Sequence, residues 1–335
     1  MPASREIELR KVHKMTKVTV IGTGTMGSAV TRRILKAGLE VNVWNRSPRS
    51  ALVAAAFGAT AYDRPADAVE GADIVLTWLP TAQAVHEVMI DGHVLDAMAQ
   101  RAVWAQMGTI GVEGTERLNA EVHARRPDVA FVDAPVSGSR GPAENGQLLV
   151  LASGPEAVAD DLGPVFDAIG RRTLWLGPAG MGTRMKLVLN TWLAFEVEAA
   201  AEGAALATLL GVAPDALASA VEGNPVASPL AIAKLSKIQS GNDGADFSLG
   251  WALKDLDLMH AVDSAEAAPV AAAIARRWHT LVDAGLGDLD VSAAHLGLGQ
   301  ELPSHLEHVP APVPIHAMVS RETQEVAVTE WANVS

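Results

Sequence analysis

The sequence predicts a doubly wound α/β domain followed by an all-helical domain, and three observations carry that prediction. From Lys17 to about Trp175, short β-branched runs alternate with amphipathic stretches, the pattern of a parallel sheet built from βαβ units. The first of these runs ends in a cluster of three glycines. After Gly182 the β-rich runs stop, and Ala, Leu and Glu dominate a proline-free segment long enough for roughly seven helical turns.

Taken in order, "KVTVIG" (17–22) reads as the first strand, "MGSAVTRRILKAG" (26–38) as a helix closed by Gly38, and "EVNVWN" (40–45) as the second strand. Later strands are "ADIVLTWLP" (72–80), "RAVWAQMG" (101–108), "DVAFVDAP" (128–135), "GQLLVLAS" (146–153) and "RTLWLG" (172–177). Helical periodicity places helices near 48–57, 81–90, 112–125 and 155–169 between them. The long helix spans Thr183 to Leu210, and Gly211 ends it. Helical patterns resume after Pro214, from Phe247 to Ala265 and from Pro269 to Ala284. The chain therefore divides into 16–179, 180–298 and a tail at 299–335, whose four prolines and weak periodicity predict irregular structure.

The 335 residues, 49% of them hydrophobic, exceed what one core usually organises. With 39 acidic against 26 basic residues the net charge is −13, and no basic cluster stands out, so nucleic acid and anionic membranes are disfavoured as partners. The absence of cysteine excludes disulfides and thiolate metal sites and fits a reducing, cytoplasmic compartment. The charged start "MPASREIELRKVHKM" lacks the apolar core of a signal peptide, and Glu196, Glu198 and Glu202 interrupt the longest apolar stretch. No metal site is expected: the only close histidine pair, His305 and His308 beside Glu307, lies in the proline-rich tail.

Gly22, Gly24 and Gly27, with Thr23, Thr25 and Met26 between them, form G-x-G-x-x-G at the first strand-to-helix junction. There the first glycine permits a tight turn, the second admits a pyrophosphate to the backbone, and the third lets helix and strand pack closely. Where an NAD-preferring domain places an acid to hold the ribose hydroxyls, this chain reads "VWNRSPRS". Asn45, Arg46 and Ser47, with Arg49 nearby, instead suit a 2′-phosphate, and NADP(H) is the expected coenzyme.

Ligands of such sheets lie outside the carboxyl edge. Leu79 and Pro80 in "TWLPT" and Thr109 in "QMGT" fall there, and the small-residue loop containing Ser137, Gly138 and Ser139 offers backbone N–H groups to a carboxylate. Ser137 stands where G-x-S-x-G needs glycine, which argues against a hydrolase nucleophile. Farther on, Lys186 and Asn190 are four apart on one helix face, and Gly180 and Gly182 before them are expected to bring the crossover close to the coenzyme. A partly desolvated lysine can give a proton to a carbonyl oxygen that receives hydride, because burial lowers its pKa toward working pH. Trp192 and Trp251, near these segments, either line an apolar pocket or pack in the core.

"GTGTMG", "VWNRS", "DAPVSGSRGPAENGQL", "GPAGMGTRMKLVLN", "FSLGWALKDLDL" and "GLGDLDVSAAH" occur in an order and spacing that resemble the β-hydroxyacid dehydrogenase family. That family includes 3-hydroxyisobutyrate dehydrogenases and glyoxylate/succinic semialdehyde reductases, and the likeness covers about 17–298. The resemblance implies a Rossmann domain joined to a helical domain like that of 6-phosphogluconate dehydrogenase, with the substrate cleft between them, and a homodimer or homotetramer. It implies Lys186 as catalytic lysine, Asn190 as its helix partner, Ser137 and Gly138 as carboxylate loop, and Thr109 beside the nicotinamide. It further implies Lys254 on the coenzyme side, with Asp255 and Phe247 on the substrate side; an exposed ion pair and simple core packing are the competing readings. The chain departs from the family pattern at Ser139, usually glycine, and at "QMGT", usually acidic-Met-Ser-Thr. Imine reductases share the architecture and the "VWNR" strand but usually carry another residue at the position of Lys186, which leaves cyclic imines as the alternative substrate class. A non-catalytic nucleotide-binding partner protein is the alternative of another kind, and it would need no proton donor.

Overall fold

The computed structural model describes residues 16–262 and 266–299. Its first part alternates β1 (Lys17–Ile21), α1 (Thr25–Lys36), β2 (Glu40–Trp44), α2 (Pro48–Ala55), β3 (Thr60–Ala61), α3 (Pro65–Val69) and β4 (Ile74–Thr77). It continues with α4 (Ala82–His86), α5 (Val94–Ala97), β5 (Val103–Gln106), α6 (Val112–Arg125) and β6 (Ala130–Asp133). The six strands pair in the order β3-β2-β1-β4-β5-β6, every pair parallel. The chain starts in the middle, winds to one edge, then crosses back past β1 to the other, the Rossmann-like topology. Val18, Val20, Ile74, Val75, Leu76 and Trp104 are buried almost completely, as a sheet covered on both faces by helices requires.

The strands expected at 146–153 and 172–177 exist, but they stand in a second sheet. β7 (Val136–Ser137), α7 (Arg140–Glu144), β8 (Leu148–Ala152), α8 (Ala159–Ile169) and β9 (Gly170–Trp175) follow in sequence, and the sheet order is β7-β8-β9. Just past the end of β8, Ser153 forms an isolated antiparallel bridge with Asp133 of β6. Pro135, two residues beyond that bridge partner, has no N–H to extend the ladder, and the chain turns back into β7 instead.

The second part is helical: α9 (Met181–Leu209), α10 (Pro214–Val221), α11 (Pro229–Ser240), α12 (Leu249–His260) and α13 (Pro269–Leu281). Gly211, with φ +71°, ends the α9 segment as expected. Ala194, Val197 and Ala201 of α9 pack with Leu253 and Leu256 of α12 and with Trp278 of α13 in one apolar core. α12 begins at Leu249, two residues later than the periodicity suggested, because Ser248 is its N-cap residue. It ends at His260, short of the expected Ala265, with Ala261 as its C-cap residue, while the proline-rich tail with His305 and His308 lies outside the described residues. Among the described residues no helix is long and apolar enough to cross a membrane.

Two buried polar assemblies fix the helical part. Asp290, fully buried, accepts from Lys234 Nζ at 2.7 and 3.0 Å and from the Ser292 N–H at 3.1 Å, and Lys237 Nζ lies 3.4 Å from it. Glu198 accepts from Arg277 at 2.7 Å and from the Trp278 indole, while burial pushes its carboxyl pKa up.

Candidate active site

The glycine turn sits at the carboxyl end of β1. Gly22 holds φ +98°, and a Cβ there would lie 2.5 Å from the Trp78 carbonyl oxygen. A Cβ on Gly27, in the first turn of α1, would lie 1.9 Å from the Gly22 carbonyl oxygen. Gly24 is different, since a Cβ there would meet nothing within 4 Å. The first and third glycines are thus demanded by the protein's own packing, whereas the second leaves backbone open to an outside molecule. The buried Thr23 hydroxyl has no hydrogen-bond partner among the described residues, and no acidic residue stands in the first turn of α1. An open cradle, an unsatisfied hydroxyl and a helix N-terminus together fit a dinucleotide pyrophosphate.

Asn45 braces this turn from β2. Its Oδ1 accepts from the Thr23 N–H at 2.9 Å, and its Nδ2 donates to the Ser47 carbonyl at 3.2 Å. Both ends of the amide are therefore held by neighbouring backbone. Ser47 is the N-cap residue of α2, and Arg46 and Arg49 are exposed and pair with no other described residue. Leu79 approaches the same turn, its Cδ2 lying 3.2 Å from the place a Gly22 Cβ would occupy, and Pro80 follows it three residues past the end of β4.

At the helical side the structure joins residues from three distant segments. Asn190 Nδ2 of α9 donates to Asp255 Oδ2 of α12, and Lys254 Nζ lies 2.7 Å from Asp255 Oδ1. The same Lys254 amine donates to the Thr109 carbonyl at 2.6 Å, which ties α12 to the segment following β5. Asn190 and Asp255 are buried, so the chain Asn190–Asp255–Lys254–Thr109 is fixed rather than solvated. Lys186, one turn before Asn190, is half-buried and makes no hydrogen bond or ion pair with any described residue. Desolvation lowers its amine pKa to about 8; the Asp255 carboxylate works against that shift, and the Lys254 ammonium adds to it.

The loop expected to hold a carboxylate is partly built into structure. Ser137 ends β7, which packs against α9, while Ser139 is the N-cap residue of α7 with an extended backbone. The position that requires glycine is Gly138, with φ +131° and a hypothetical Cβ 2.8 Å from Leu148 Cδ2. Phe247 packs on the helical core, and its carbonyl accepts from the Val291 N–H at 2.9 Å. Trp192 is 64% exposed, so core packing does not describe it, and Trp251 lies under the Lys254 amine at 5.8 Å.

The expected role of Gly182 is corrected. A Cβ on Gly182 would lie 2.2 Å from the Leu151 carbonyl of β8, so this glycine lets α9 abut the second sheet rather than a coenzyme. Gly180, with φ +95°, is the N-cap residue of α9. Asp133, which the sequence reading passed over, accepts from both the N–H and the hydroxyl of Thr183 at 2.7 Å. The available signal was a charged residue closing the apolar run "VAFVD".

A dinucleotide-type turn at the carboxyl end of a Rossmann-like sheet defines an NAD(P)-binding α/β protein. Residues 17–177 match the family described as the NAD binding domain of 6-phosphogluconate dehydrogenase. Residues 180–296 match that described as the NAD-binding of NADP-dependent 3-hydroxyisobutyrate dehydrogenase. The chain is 32% identical to glyoxylate/succinic semialdehyde reductase 1 of Arabidopsis thaliana, over 83% of its own length and 96% of that protein's. It is 29% identical to the cytokine-like nuclear factor N-PAC of Homo sapiens, covering 83% of this chain but only 51% of N-PAC. Among solved structures, Mycobacterium tuberculosis 3-hydroxyisobutyrate dehydrogenase with L-serine superposes with a TM-score of 0.76 at 27% identity, over 84% of this chain and 98% of that one. The chain belongs to the β-hydroxyacid dehydrogenase family, which supports NAD(P)-dependent hydroxyacid dehydrogenase activity.

Proposed function

We propose that this chain is an NADP(H)-dependent oxidoreductase that interconverts a small hydroxy acid and its semialdehyde or keto acid, with Lys186 as general acid and base. In this reading 16–179 is the coenzyme domain and 180–298 the substrate and oligomerisation domain. The observation that carries it is the Lys186 amine, desolvated to a pKa of about 8 beside the Asn190–Asp255–Lys254 chain. The bound nicotinamide would supply the hydride. As the carbonyl oxygen takes up the displaced electron pair, the Lys186 ammonium gives it a proton and is left as a neutral amine. The reverse reaction uses that amine to take the proton from the alcohol. Asn190, held by Asp255, lines the same helix face, and the backbone of Ser137, Gly138 and Ser139 receives the substrate carboxylate. Lys254 fixes the Thr109 carbonyl on the coenzyme side. The deciding experiment follows NADPH consumption with glyoxylate, succinic semialdehyde, methylmalonate semialdehyde and a cyclic imine. Turnover of an aldehyde is expected; turnover of the imine alone, or of none, rejects the reading.

The coenzyme preference rests on Arg46 and Arg49, exposed beside a turn that carries no acid. Arg46→Asp puts a negative charge where a 2′-phosphate would lie. The ratio of kcat/KM for NADPH over NADH is expected to fall by about tenfold or more, as for loss of one charge-assisted contact. An unchanged ratio refutes the assignment.

A homodimer is part of the same reading. Met181, Met185, Val188 and Trp192 recur along α9 at helical spacing and are exposed, and Leu206, Leu209 and Leu210 continue the apolar surface at its far end. Exposed apolar side chains recurring along one helix face are unusual on a monomer, and a stable interface buries roughly 800 Å² per partner. Trp192→Glu is expected to convert the dimer to a monomer, read by sedimentation or light scattering; a parent protein that is already monomeric refutes it.

A further inference from the structure

The first turn of α9 is capped from outside the helix. Its N-cap residue, Gly180, has no side chain to offer, yet the early N–H groups of a helix need acceptors. The Gly182 N–H donates to Ser153 Oγ at 2.9 Å, and the Thr183 N–H donates to Asp133 Oδ2 at 2.7 Å. The Thr183 hydroxyl donates to Asp133 Oδ1 at 2.7 Å, and Ser153 Oγ lies 3.2 Å from Asp133 Oδ2. The Thr115 hydroxyl, from α6, stands 3.1 Å from that of Thr183. Asp133, Ser153, Thr183 and Thr115 are all buried completely, so this clasp between the sheets and α9 is closed to water. Helix and β8 meet at backbone contact through Gly182, which leaves the helix no slack along its axis at this end.

Thr183, Lys186 and Asn190 are spaced i, i+3 and i+7 and therefore share one helix face. We infer that Asp133 is the positioning residue for Lys186: by capping α9 from the end of β6 it fixes the height and rotation at which that helix presents the amine. The charges acting on the Lys186 amine are those of Asp255 and Lys254. Asp133 thus works through the helix, not through its field. Burial pushes the Asp133 carboxyl pKa up, and the donors on Thr183 and Ser153 oppose this; the bonds it receives are what keep a carboxylate tolerable there. The inference rests on Lys186 being the proton donor and adds where its geometry comes from.

The test has two readouts. In the first, Lys186 is acetylated by trace acetic anhydride over a pH series and quantified by peptide mass spectrometry, which reports the amine's own titration without any coenzyme or substrate. The parent protein should show a midpoint near 8. In Asp133→Asn and Asp133→Ala the amine should leave its desolvated place, and the midpoint should rise toward the ordinary lysine range of about 10.4. In the second, kcat with the best aldehyde of the panel should fall at least tenfold while the Kd for NADPH stays within twofold. Thr183→Val, which removes the hydroxyl's bonds to Asp133 and Thr115, should move both readouts in the same direction if the aspartate variants fail to fold, and Thr183→Ser should restore them. A purely structural Asp133 would lower the thermal midpoint and leave the Lys186 midpoint unchanged in every folded variant, which overturns the inference. Full activity of Lys186→Ala would instead overturn the proton-donor reading, so the two failures are distinguishable.

Discussion

Lys186→Ala is expected to lower turnover by about two to four decades, the usual loss when a positioned general acid is removed. NADPH binding should change little, because the groups proposed to hold the coenzyme lie at the β1–α1 turn and around Arg46. The pH dependence has a definite sign. With the amine titrating at about 8, carbonyl reduction needs the ammonium, so kcat should be level below that pH and fall as pH rises through it. Oxidation of the alcohol needs the neutral amine and should rise through the same pH. Stability carries the opposite mark: the folded-state pKa lies below that of the unfolded chain, so the charged amine penalises folding fully below about 8 and less as pH climbs toward 10.4. Lys186→Met should therefore unfold at a higher temperature than the parent at pH 7, with the gain shrinking by pH 10. Calorimetry alongside initial rates checks both, and a variant that keeps full turnover removes Lys186 from the chemistry.

The largest loss of stability is expected at Asp290. Its removal leaves the Lys234 ammonium buried without its carboxylate and takes one of the partners of Lys237. Breaking such a buried pair from one side costs about 3–5 kcal/mol. For a chain of this size Asp290→Ala should then lower the thermal midpoint by roughly 10 °C. Lys234→Met combined with Asp290→Asn removes both charges and should recover most of that loss. Burial raises the Asp290 pKa, but the bonds from Lys234 and the Ser292 N–H outweigh it and hold the carboxyl below its ordinary value. The stabilisation is accordingly complete above about pH 4 and fades as pH falls through the lower folded-state value. An Asp290→Ala protein with the parent's midpoint at pH 7 would disprove this account.

Local features were legible in the sequence, and pairings were not. Gly22, Gly24 and Gly27 could be read because their spacing at a strand-to-helix junction is a local pattern, and the end of α9 at Gly211 could be read because a glycine after a helical run is a local stop signal. The four-residue spacing of Lys186 and Asn190 fixed their common face without any knowledge of the fold. The bonds that give those residues meaning connect Asn190 to Asp255 and Lys254 to Thr109, and no local pattern encodes partners 65 and 145 positions apart. The strand runs at 148–152 and 170–175 were recognisable, yet a β-branched run does not say which sheet it joins. Gly182 was misread because a glycine advertises close approach without naming what approaches. Asp133 and Asp290 went unseen because an aspartate in sequence does not reveal whether water surrounds it.

The brace from Asn45 to the Thr23 N–H has a practical corollary for redesign. Position 45 belongs mechanically to the glycine turn, so exchanging it to alter cofactor choice would also unsettle the phosphate cradle. Arg46 and Arg49, which pair with no other residue among those described, are the settings that can be turned independently. Retargeting should begin there and leave the asparagine untouched.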